Sequence, residues 1–444
     1  DAGTGVGRTI AVAGAGRINI TAVAEVVADR AEVLQAMSSR CFLFLQGVCS
    51  PFFLRLADRL MAEGHTVLKL NFNVGDVAYW GTRKSFSFRG RPQDLREFLD
   101  DIYREYGITD QVLFGDRRPV HRPAVDHAEA MGIRTHVFEE GYFRPHWVTL
   151  EREGVNGHSL LPRDPDWFWA VGGDLGVPET VVPFASPFRV RAAHDVAYHL
   201  AGAANPLLFP SYRTHAGMSA PVEYLGYIRR FSLLRWWKPR DAELIDALVA
   251  SDQPYYVLPL QLNSDAQIRD HSRFENMDEV IEYVIESFAR LAPTGSRLVI
   301  KNHPLDMGMT GYQQVIARLA REYDIVGRVD YLESGNLDLL VKHARGLVTV
   351  NSTVGGVSLG LNCSTTTLSD PIYNLPGLTF QGGLDDFWLH GEPPNRELFR
   401  RFRNAVIHTT QINGGFYCRK GIDLAVNNSV AVLAGETSPL EDLI

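Results

Sequence analysis

Residues 41–47 read CFLFLQG, and they are followed by FFLRLADRLMAEG at 52–64 and HTVLKLNFN at 65–73. The first and third segments are short apolar runs typical of buried strands, whereas the middle one has the apolar spacing of an amphipathic helix. Ser50 stands where a side-chain hydroxyl group can cap that helix. Strand, helix and strand joined by short links predict a parallel sheet.

The same alternation recurs along most of the chain. A first set runs to residue 141, and a second set begins after residue 252. The predicted strands are QVLFGD (111–116), RTHVFEEG (134–141), YYVLPLQL (255–262), SRLVIKNHP (296–304), RVDYL (328–332), GLVTVNS (346–352) and STTTLSD (364–370), and the predicted helices span 91–106, 121–131, 277–291, 311–323, 336–343 and 397–405.

Between the two sets, residues 152–252 are rich in proline, glycine and aromatic residues and show weak periodicity, so we place the domain junction there. The sequence therefore predicts an α/β fold with two doubly wound, Rossmann-like domains facing a central cleft. This is the GT-B architecture of many sugar-nucleotide glycosyltransferases, at this point a likeness of fold only. The chain is divided into an unassigned extension (1–36), a first domain (37–215), a second domain (216–390) and a helical C-terminal segment (391–444) that could cross back to the first domain.

Composition narrows the class of protein. The 444 residues are 45% hydrophobic and 22% charged, which is ordinary for a soluble globular enzyme. The formal net charge of −8 argues against a nucleic-acid binder with a broad basic face. The four cysteines lie far apart without zinc spacing and are expected to be reduced thiols of a cytoplasmic protein. Residues 1–36 contain no apolar run near the ~20 residues of a membrane span and no clear signal-peptide cleavage pattern.

The loop after the strand at 134–141 carries a dense set of polar groups. Glu139 and Glu140 end the strand, and Arg144 follows within the stretch FEEGYFRPHWVTLE (138–151). Ligands of α/β proteins bind at the carboxyl ends of the strands, so this pattern favours a catalytic or sugar-binding loop. The alternative interpretation is a structural Glu–Arg ion pair that closes the loop.

Two strand ends of the second domain indicate a phosphate site. Lys301, His303 and Pro304 follow one strand, where the lysine and the histidine can donate to phosphate oxygens. After another strand, small hydroxyl residues and glycines precede a helix, and backbone N–H groups there can cradle a phosphate. These residues are Asn351, Ser352, Thr353 and Gly355. An ordinary helix cap is the alternative for this second motif.

Other nucleotide and metal signatures do not occur in the sequence. No GxxxxGK[ST] or GxGxxG follows a strand, which disfavours a P-loop NTPase and a Rossmann dehydrogenase. No metal-ligand pattern or DxD-like pair stands at a strand end, so we expect a transferase that needs neither a metal nor another cofactor.

In combination and order, these motifs resemble a known family, the bacterial capsule polysaccharide β-Kdo transferases of the KpsS/KpsC type, and the single catalytic module matches the KpsS type better. The resemblance runs from about residue 42 to 377. The motifs are FLFLQG, NFNVGDVAYW, FGDRRPVH, FEEGYFRPHWVTLE with GVNG, PLQLNSDAQI, KNHPLD, NSTVGG and PIYNLPGL. The resemblance implies a retaining, metal-independent GT-B enzyme that uses CMP-Kdo as donor substrate and builds a β-Kdo linker on (lyso)phosphatidylglycerol or a Kdo-terminated lipid. It also implies work at the cytoplasmic face of the inner membrane beside other capsule assembly proteins.

The resemblance assigns roles to particular residues. The 37–215 domain becomes the acceptor side and the 216–390 domain the donor side. Asp265 is implied as the nucleophile, and Glu140, or its neighbour Glu139, as the acid/base. The implied donor-binding residues are Gln261, Lys301, His303, Pro304, Asn351, Ser352, Thr353, Gly355 and Arg144. Val357 and Ser358 depart from the expected pattern after NSTVGG, which leaves the contact to cytidine or ribose open.

Two alternatives to a Kdo transferase are a GT-B enzyme that uses another CMP sugar such as sialic acid, and a non-catalytic scaffold for capsule assembly or export. A further feature is the stretch YIRRFSLLRWWKPR (227–240), in which five cations stand among aromatic and aliphatic residues. Such a mixture favours the surface of an anionic membrane. The alternative for this stretch is an interdomain segment with buried tryptophans and paired arginines.

Overall fold

The computed structural model of the protein describes residues 39–176, 180–212, 220–262, 268 and 272–444. The strands are β1 (Cys41–Phe44), β2 (Thr66–Asn71), β3 (Phe86–Ser87), β4 (Asp110–Phe114), β5 (Arg134–Glu140), β6 (Trp147–Arg152), β7 (Tyr255–Pro259), β8 (Arg297–Lys301), β9 (Val329–Leu332), β10 (Gly346–Thr349), β11 (Thr365–Thr367) and β12 (Gln411–Asn413). The α-helices are α1 (Phe52–Ala62), α2 (Val74–Trp80), α3 (Leu95–Tyr106), α4 (Arg122–Ala128), α5 (Pro165–Asp174), α6 (Phe188–Gly202), α7 (Asn205–Leu208), α8 (Ala220–Ala250), α9 (Met277–Leu291), α10 (Tyr312–Glu322), α11 (Leu337–His343), α12 (Thr353–Gly360), α13 (Leu384–His390), α14 (Arg396–Thr410) and α15 (Arg419–Ala434).

The first sheet has the strand order β12-β6-β5-β4-β1-β2-β3. Strands β1 to β5 pair in parallel, and β6 and β12 add to one edge in antiparallel fashion. The chain moves from β1 towards β3 in one direction and from β4 towards β6 in the other. The order therefore reverses between β1 and β4, and such a switch point opens a crevice at the carboxyl ends of the two strands.

The second sheet is parallel throughout and has the order β11-β10-β7-β8-β9. Its order reverses between β7 and β10, so it repeats the doubly wound plan of the first sheet. Two sheets of this kind confirm the fold class that the alternating strand and helix patterns predict.

Apolar side chains on both faces of each sheet build the cores. In β1, Phe42 and Phe44 pack towards α1 and α15, whereas Leu43 packs towards α3 and α4. In β8, Leu298 and Ile300 pack on the α9 side, and the alternate residues pack on the α11 side. Helices on both faces explain why these strands read as continuous apolar runs rather than as alternating ones.

The C-terminal segment lies against the first sheet. Strand β12 pairs with β6, α15 packs on α1, and α14 packs on α5. Phe402 of α14 and Leu375 of the loop after β11 share a core cluster with Tyr142 of the first half. This apolar cluster joins the two halves of the molecule.

The sequence patterns did not predict the strands β3, β6 and β12 or the helices α2, α13 and α15, and two further regions also differ from the predictions. The residue that caps α1 is Pro51, and Ser50 stands one residue earlier, where its hydroxyl oxygen accepts from Phe52 N at 3.2 Å. Residues 152–252, where periodicity is weak in the sequence, contain four helices within the described ranges, α5 to α8, including the 31-residue α8 with Pro239 inside it. Their apolar residues are spread around the helices, so no helical period is visible in the sequence.

Candidate functional site

The switch point of the second sheet carries a pair of joined amides. Gln261 follows β7 and Asn351 follows β10, the two strands between which the order reverses. Gln261 Nε2 donates to Asn351 Oδ1 at 2.9 Å, and Asn351 N donates to Gln261 Oε1 at 3.3 Å. These bonds fix both side chains at the point where a doubly wound sheet binds its ligand.

A cavity that is partly open to solvent lies beside this pair and is lined from both halves of the molecule. Asn351, Thr353 and Gly356 line it from the second half, and Tyr142 and Asn156 line it from the first. The predicted loop after β5 and the predicted glycine-rich helix start therefore face each other across one cleft.

Ser352 has the structural role that an ordinary cap would have. It is the N-cap residue of α12, and its hydroxyl oxygen accepts from Val354 N at 3.3 Å. Tyr373 donates its hydroxyl proton to Ser352 O at 2.5 Å, and a side chain at Gly355 would collide with this hydroxyl group. These contacts fix the first turn of α12, and Thr353 lines the cavity.

His303 lies in the loop after β8, with a defined hydrogen-bonding state. Its Nδ1 accepts from Leu305 N at 3.1 Å, so a neutral ring carries its proton on Nε2. Burial, followed by the positive charges around it, lowers the pKa of His303 to about 4. At neutral pH the residue is therefore an uncharged donor, whereas the surrounding positive charge comes from other side chains.

Four cations act on His303, two from each half of the chain. Arg144 and Arg191 come from the first half, and Lys301 and Arg230 come from the second. Arg144 is exposed in the loop after β5. Like charges gathered around one buried imidazole repel one another, and an anion placed among them would relieve this repulsion.

The side chain of Lys301 is more deeply buried than its place at the end of a strand suggests. Its side chain is 5% exposed, on the face of β8 that packs towards α8 and α11, and its ammonium group donates to Asn302 O at 3.5 Å. Burial, and then the positive charge of Arg230, lowers the pKa of Lys301, while Asp241 and Glu333 act in the opposite direction. Lys301 thus supplies positive potential beneath the loop of His303.

The two candidate acid/base residues have different surroundings. Glu140 Oε1 receives a hydrogen bond from Arg191 Nη1 at 3.2 Å, and the Arg191 guanidinium stacks on the Tyr417 ring. Glu139 Oε1 accepts from the backbone N–H of Glu140 at 3.0 Å. The loop does contain a Glu–Arg ion pair, but the arginine is Arg191 of α6 and not Arg144.

Arg230 belongs to this site and not to an exposed basic surface. It is 2% exposed and donates to Pro304 O at 2.8 Å and Asp306 O at 2.5 Å. It also forms an ion pair with Glu333 at 3.4 Å. The prediction that all five cations of residues 227–240 face a membrane is therefore wrong for Arg230, which fixes the loop that carries His303.

Sequence reasoning missed Arg191 and Arg230 as site residues. Arg191 lies in the stretch without visible periodicity, and Arg230 looks in sequence like its exposed neighbour Arg229. No local pattern distinguishes them, because their roles depend on contacts with distant loops.

Asp265, the predicted nucleophile, lies outside the described residues. It stands six positions beyond the end of β7, between Leu262 and Ile268. Within the described ranges, no group of three His, Cys, Asp or Glu side chains is placed to hold a metal ion. Across those same ranges, every helix is too short or too polar to cross a bilayer.

The two sheets and their shared cleft define an α/β protein of two halves. Cations from both halves act on His303 in this cleft. The chain belongs to the family described as "Capsule polysaccharide biosynthesis protein", whose family model matches residues 109–417. It is 36% identical over 382 residues to the "Capsule polysaccharide export protein KpsS" of Escherichia coli, covering 86% of this chain and 98% of that protein. The similarity to KpsS confirms the resemblance found in the motifs.

Two further proteins match most of this chain. The "Capsule polysaccharide modification protein LipB" of Neisseria meningitidis serogroup B is 35% identical over 391 residues, covering 86% of this chain and 92% of that protein. The solved structure "Thermosulfurimonas dismutans KpsC, beta Kdo 2,7 transferase" is 13% identical, with a TM-score of 0.41, and covers 89% of this chain and 99% of that one.

Proposed function

We propose that this protein is a glycosyltransferase that moves Kdo from CMP-Kdo, with retention, onto (lyso)phosphatidylglycerol or a Kdo-terminated lipid during capsule assembly. The observation that supports this proposal best is the convergence of Arg144 and Arg191 with the loop of His303. CMP-Kdo carries two anionic groups close together, the phosphate and the sugar carboxylate, and such a donor needs several cations around it.

In this proposal the donor phosphate lies at the His303 loop. The Nε2–H of His303 donates to a phosphate oxygen, and the N-terminus of α12 at Thr353 adds backbone donors. From the other side of the cleft, Arg144 faces the phosphate beside His303, and Arg191 faces the sugar carboxylate. The joined amides of Gln261 and Asn351 hold the floor of the site in place.

The reaction then follows a double displacement. The Asp265 carboxylate attacks the anomeric carbon, and CMP leaves with the bonding electron pair. The acceptor hydroxyl oxygen next displaces Asp265, and its proton passes to Glu140, with Glu139 as the second candidate for this role. Two carboxylates with separate roles are the usual requirement of a retaining mechanism.

Attachment to an anionic membrane surface is part of the same proposal. Exposed apolar side chains are concentrated on α6, α7 and α8: Phe188, Val196, Leu200, Leu207, Leu208, Val222, Leu225, Ile228, Phe231 and Trp236. On α8 they stand beside the exposed cations Arg229, Arg235, Lys238 and Arg240. Apolar and basic groups together suit the headgroup zone of a bilayer that contains a lipid acceptor.

The test is incubation of the protein with CMP-Kdo and a lysophosphatidylglycerol acceptor, with product mass and linkage determined. We expect a product heavier by one Kdo residue with a β linkage, and no product from CMP-sialic acid. Asp265→Asn should abolish transfer while CMP still binds, because the residue acts on the sugar. Asp252→Asn, at an exposed position, is the matched control. Transfer by Asp265→Asn at the normal rate would exclude this nucleophile, and CMP binding without any transfer would favour a scaffold.

A further inference from the structure

The motif NFNVGD (71–76) joins β2 to α2, and helix α6 packs on α2. Its last residue, Asp76, is a carboxylate that is only 5% exposed. One oxygen, Oδ2, accepts from Phe72 N at 3.0 Å, and the ammonium group of Lys69 supplies an opposing charge. The other oxygen, Oδ1, accepts from Tyr198 Oη of α6 at 2.8 Å. A buried carboxylate costs stability unless it is paired and hydrogen-bonded, so the bond from Tyr198 is part of what Asp76 requires.

Tyr198 is held both at its hydroxyl group and at its ring. Asn73 Nδ2 donates to Tyr198 Oη at 2.7 Å, and Gln46 Nε2 donates to it at 3.3 Å. The ring lies directly against Gly75, where a Cβ atom would stand 2.6, 2.7 and 2.8 Å from three ring carbons. A glycine at this position therefore leaves the space that the ring occupies. We call the three residues Asn73, Gly75 and Asp76 the Tyr198 socket.

Helix α6 connects the Tyr198 socket to the candidate acid/base residue. Arg191 and Tyr198 are seven residues apart, which is about two turns, so both lie on the inner face of α6. Between them on this face, His194 Nδ1 is hydrogen-bonded to Tyr79 Oη of α2 at 2.8 Å. Arg191 Nη1 donates to Glu140 Oε1 at 3.2 Å. One helix face is therefore bonded to α2 at two points and to Glu140 at a third.

The other sides of α6 are more open to solvent. Tyr224 of α8 donates to Asp195 Oδ2 at 3.1 Å, and the Asp195 side chain is 46% exposed. On the outer face, Val196 and Leu200 are exposed. Because a hydrogen bond is electrostatically stronger inside a protein than in water, the contacts of the inner face contribute most to the position of the helix.

We propose that Tyr198 is a positioning residue for sugar transfer: seated in its socket, it holds α6 where Arg191 meets Glu140 and the sugar carboxylate of the donor. The inference rests on the proposed function, since that function gives Arg191 and Glu140 their roles. Tyr198 acts through the helix and touches neither substrate. A displacement of about 1 Å at a reacting group can lower a rate about a hundredfold, so release of Tyr198 should slow transfer. CMP has no sugar carboxylate, so its binding should not change.

The first experiment releases Tyr198 in two different ways. Tyr198→Phe removes the hydroxyl group and keeps the ring, whereas Gly75→Ala displaces the ring without removing a polar group. Tyr103→Phe is the matched control, because Tyr103 Oη of α3 donates to the buried Gln111 of β4 at the same distance of 2.8 Å. In both socket variants we expect kcat to fall about tenfold or more and the donor KM to rise, while the Kd of CMP stays within about twofold. Tyr103→Phe should change none of the three.

A double-mutant cycle then separates positioning from a general loss of stability. Tyr198→Phe is combined with Arg191→Met. If Tyr198 acts through Arg191, Tyr198→Phe should lower kcat by less than about twofold in the Arg191→Met background, whereas its effect on unfolding free energy should be the same in both backgrounds. An equal fall in kcat in both backgrounds would overturn the proposal.

The last measurement follows the position of α6 without any reaction. Cys49 lies near this helix, since the charges of Asp195 and Arg191 act on it, and burial raises the pKa of its thiol to about 12. Alkylation of Cys49 by iodoacetamide, followed by peptide mass spectrometry, should be about fivefold faster or more in both socket variants than in the wild type. Unchanged kcat in these variants, with or without faster alkylation, would overturn the proposal. A wild type that protects Cys49 but transfers no sugar would instead contradict the proposed function.

Discussion

Glu151 is a carboxyl group buried at the base of the loop that bears the candidate acid/base residues. It accepts hydrogen bonds from the hydroxyl groups of Tyr142 and Ser159, and Tyr142 in turn lines the cavity beside the Gln261–Asn351 pair. Burial is the largest effect and raises the pKa of Glu151 to about 7, although the two hydroxyl donors act in the opposite direction. The folded protein therefore retains this proton in a pH range where the unfolded chain has released it.

This pKa shift predicts a pH-dependent stability. Because the folded-state pKa is raised from 4.5 to about 7, the stabilisation is complete below pH 4.5 and is lost as the pH rises towards and past 7. The shift corresponds to about 3 kcal/mol. Glu151→Gln should remove this part of the pH slope. Denaturant unfolding at pH 5 and pH 8 measures it, and equal slopes in the wild type and the variant would contradict the assignment.

The sequence predicted several site residues but not their chemical states. Strand ends and a helix start led to His303, Thr353 and Glu140, because the carboxyl ends of strands can be read from local patterns. That His303 is neutral depends on burial and on cations from two halves of the chain, and neither is visible locally. The strand ends and the helix start that carry these residues were thus predictable, whereas the protonation of His303 depends on tertiary structure.

Among the elements, helix α8 contacts the His303 loop closely along one of its turns. Tyr227 Oη donates to Leu305 O at 3.2 Å, Arg229 Nη1 donates to Gly308 O at 3.2 Å, and Arg230 bonds two further carbonyls of the same loop. The same helix carries exposed Ile228 and Trp236. A single helix therefore positions the His303 loop and presents an apolar and basic outer face.

The neighbouring arginines of this helix should behave differently. Arg230→Ala removes the donor to three backbone carbonyls and the cation paired with the partly buried Glu333, so we expect a loss of about 3–5 kcal/mol in unfolding free energy and weaker CMP binding. Arg229→Ala, at an exposed side chain, should change stability by about 0.5 kcal/mol or less. Chemical denaturation and calorimetry measure both effects. Equal effects of the two substitutions would show that Arg230 does not fix the loop.

The outer face of α8 should bind anionic vesicles. Reversal of its four exposed cations in Arg229→Glu, Arg235→Glu, Lys238→Glu and Arg240→Glu should abolish flotation with phosphatidylglycerol liposomes, because each basic residue contributes about 1 kcal/mol near such a surface. Binding by the wild type should weaken with salt. The control variant reverses Arg96, Arg318, Lys342 and Arg419, which are exposed elsewhere. Flotation that persists after reversal of the four α8 cations would contradict this role for α8. Equal loss of flotation in the control variant would show that the effect is not specific to α8.

Elements with regular periodicity were predicted well, and the others were missed. Helix α9 spans the predicted Met277–Leu291 and begins at the Asn276 cap, whose side chain accepts from Glu279 N. Helices α6 and α8 were missed because a helix with an apolar outer face does not show the one-sided pattern of a helix packed only against a core. The exposed apolar side chains that hid these helices in the sequence are the same side chains that we propose to contact a membrane.

At the scale of the whole molecule, the two sheets share one cleft, and each supplies part of the proposed donor site. The first half contributes Arg144 and Arg191, and the second contributes the His303 loop and the Gln261–Asn351 pair. A doubly wound order in both sheets follows from the repeated strand and helix pattern. The contribution of both halves to one proposed anion site does not follow from this pattern, because no local pattern specifies contacts between distant loops.

The most direct test of this shared site is calorimetric titration of CMP into the wild type, Arg144→Ala, His303→Ala and the double variant, with His343→Ala as an exposed control. Each site substitution should cost about 1.5–3 kcal/mol, or roughly a tenfold to hundredfold increase in Kd. The double variant should lose less than the sum of the two, because both groups act on the same phosphate. CMP that binds the wild type and His303→Ala equally tightly would contradict the account.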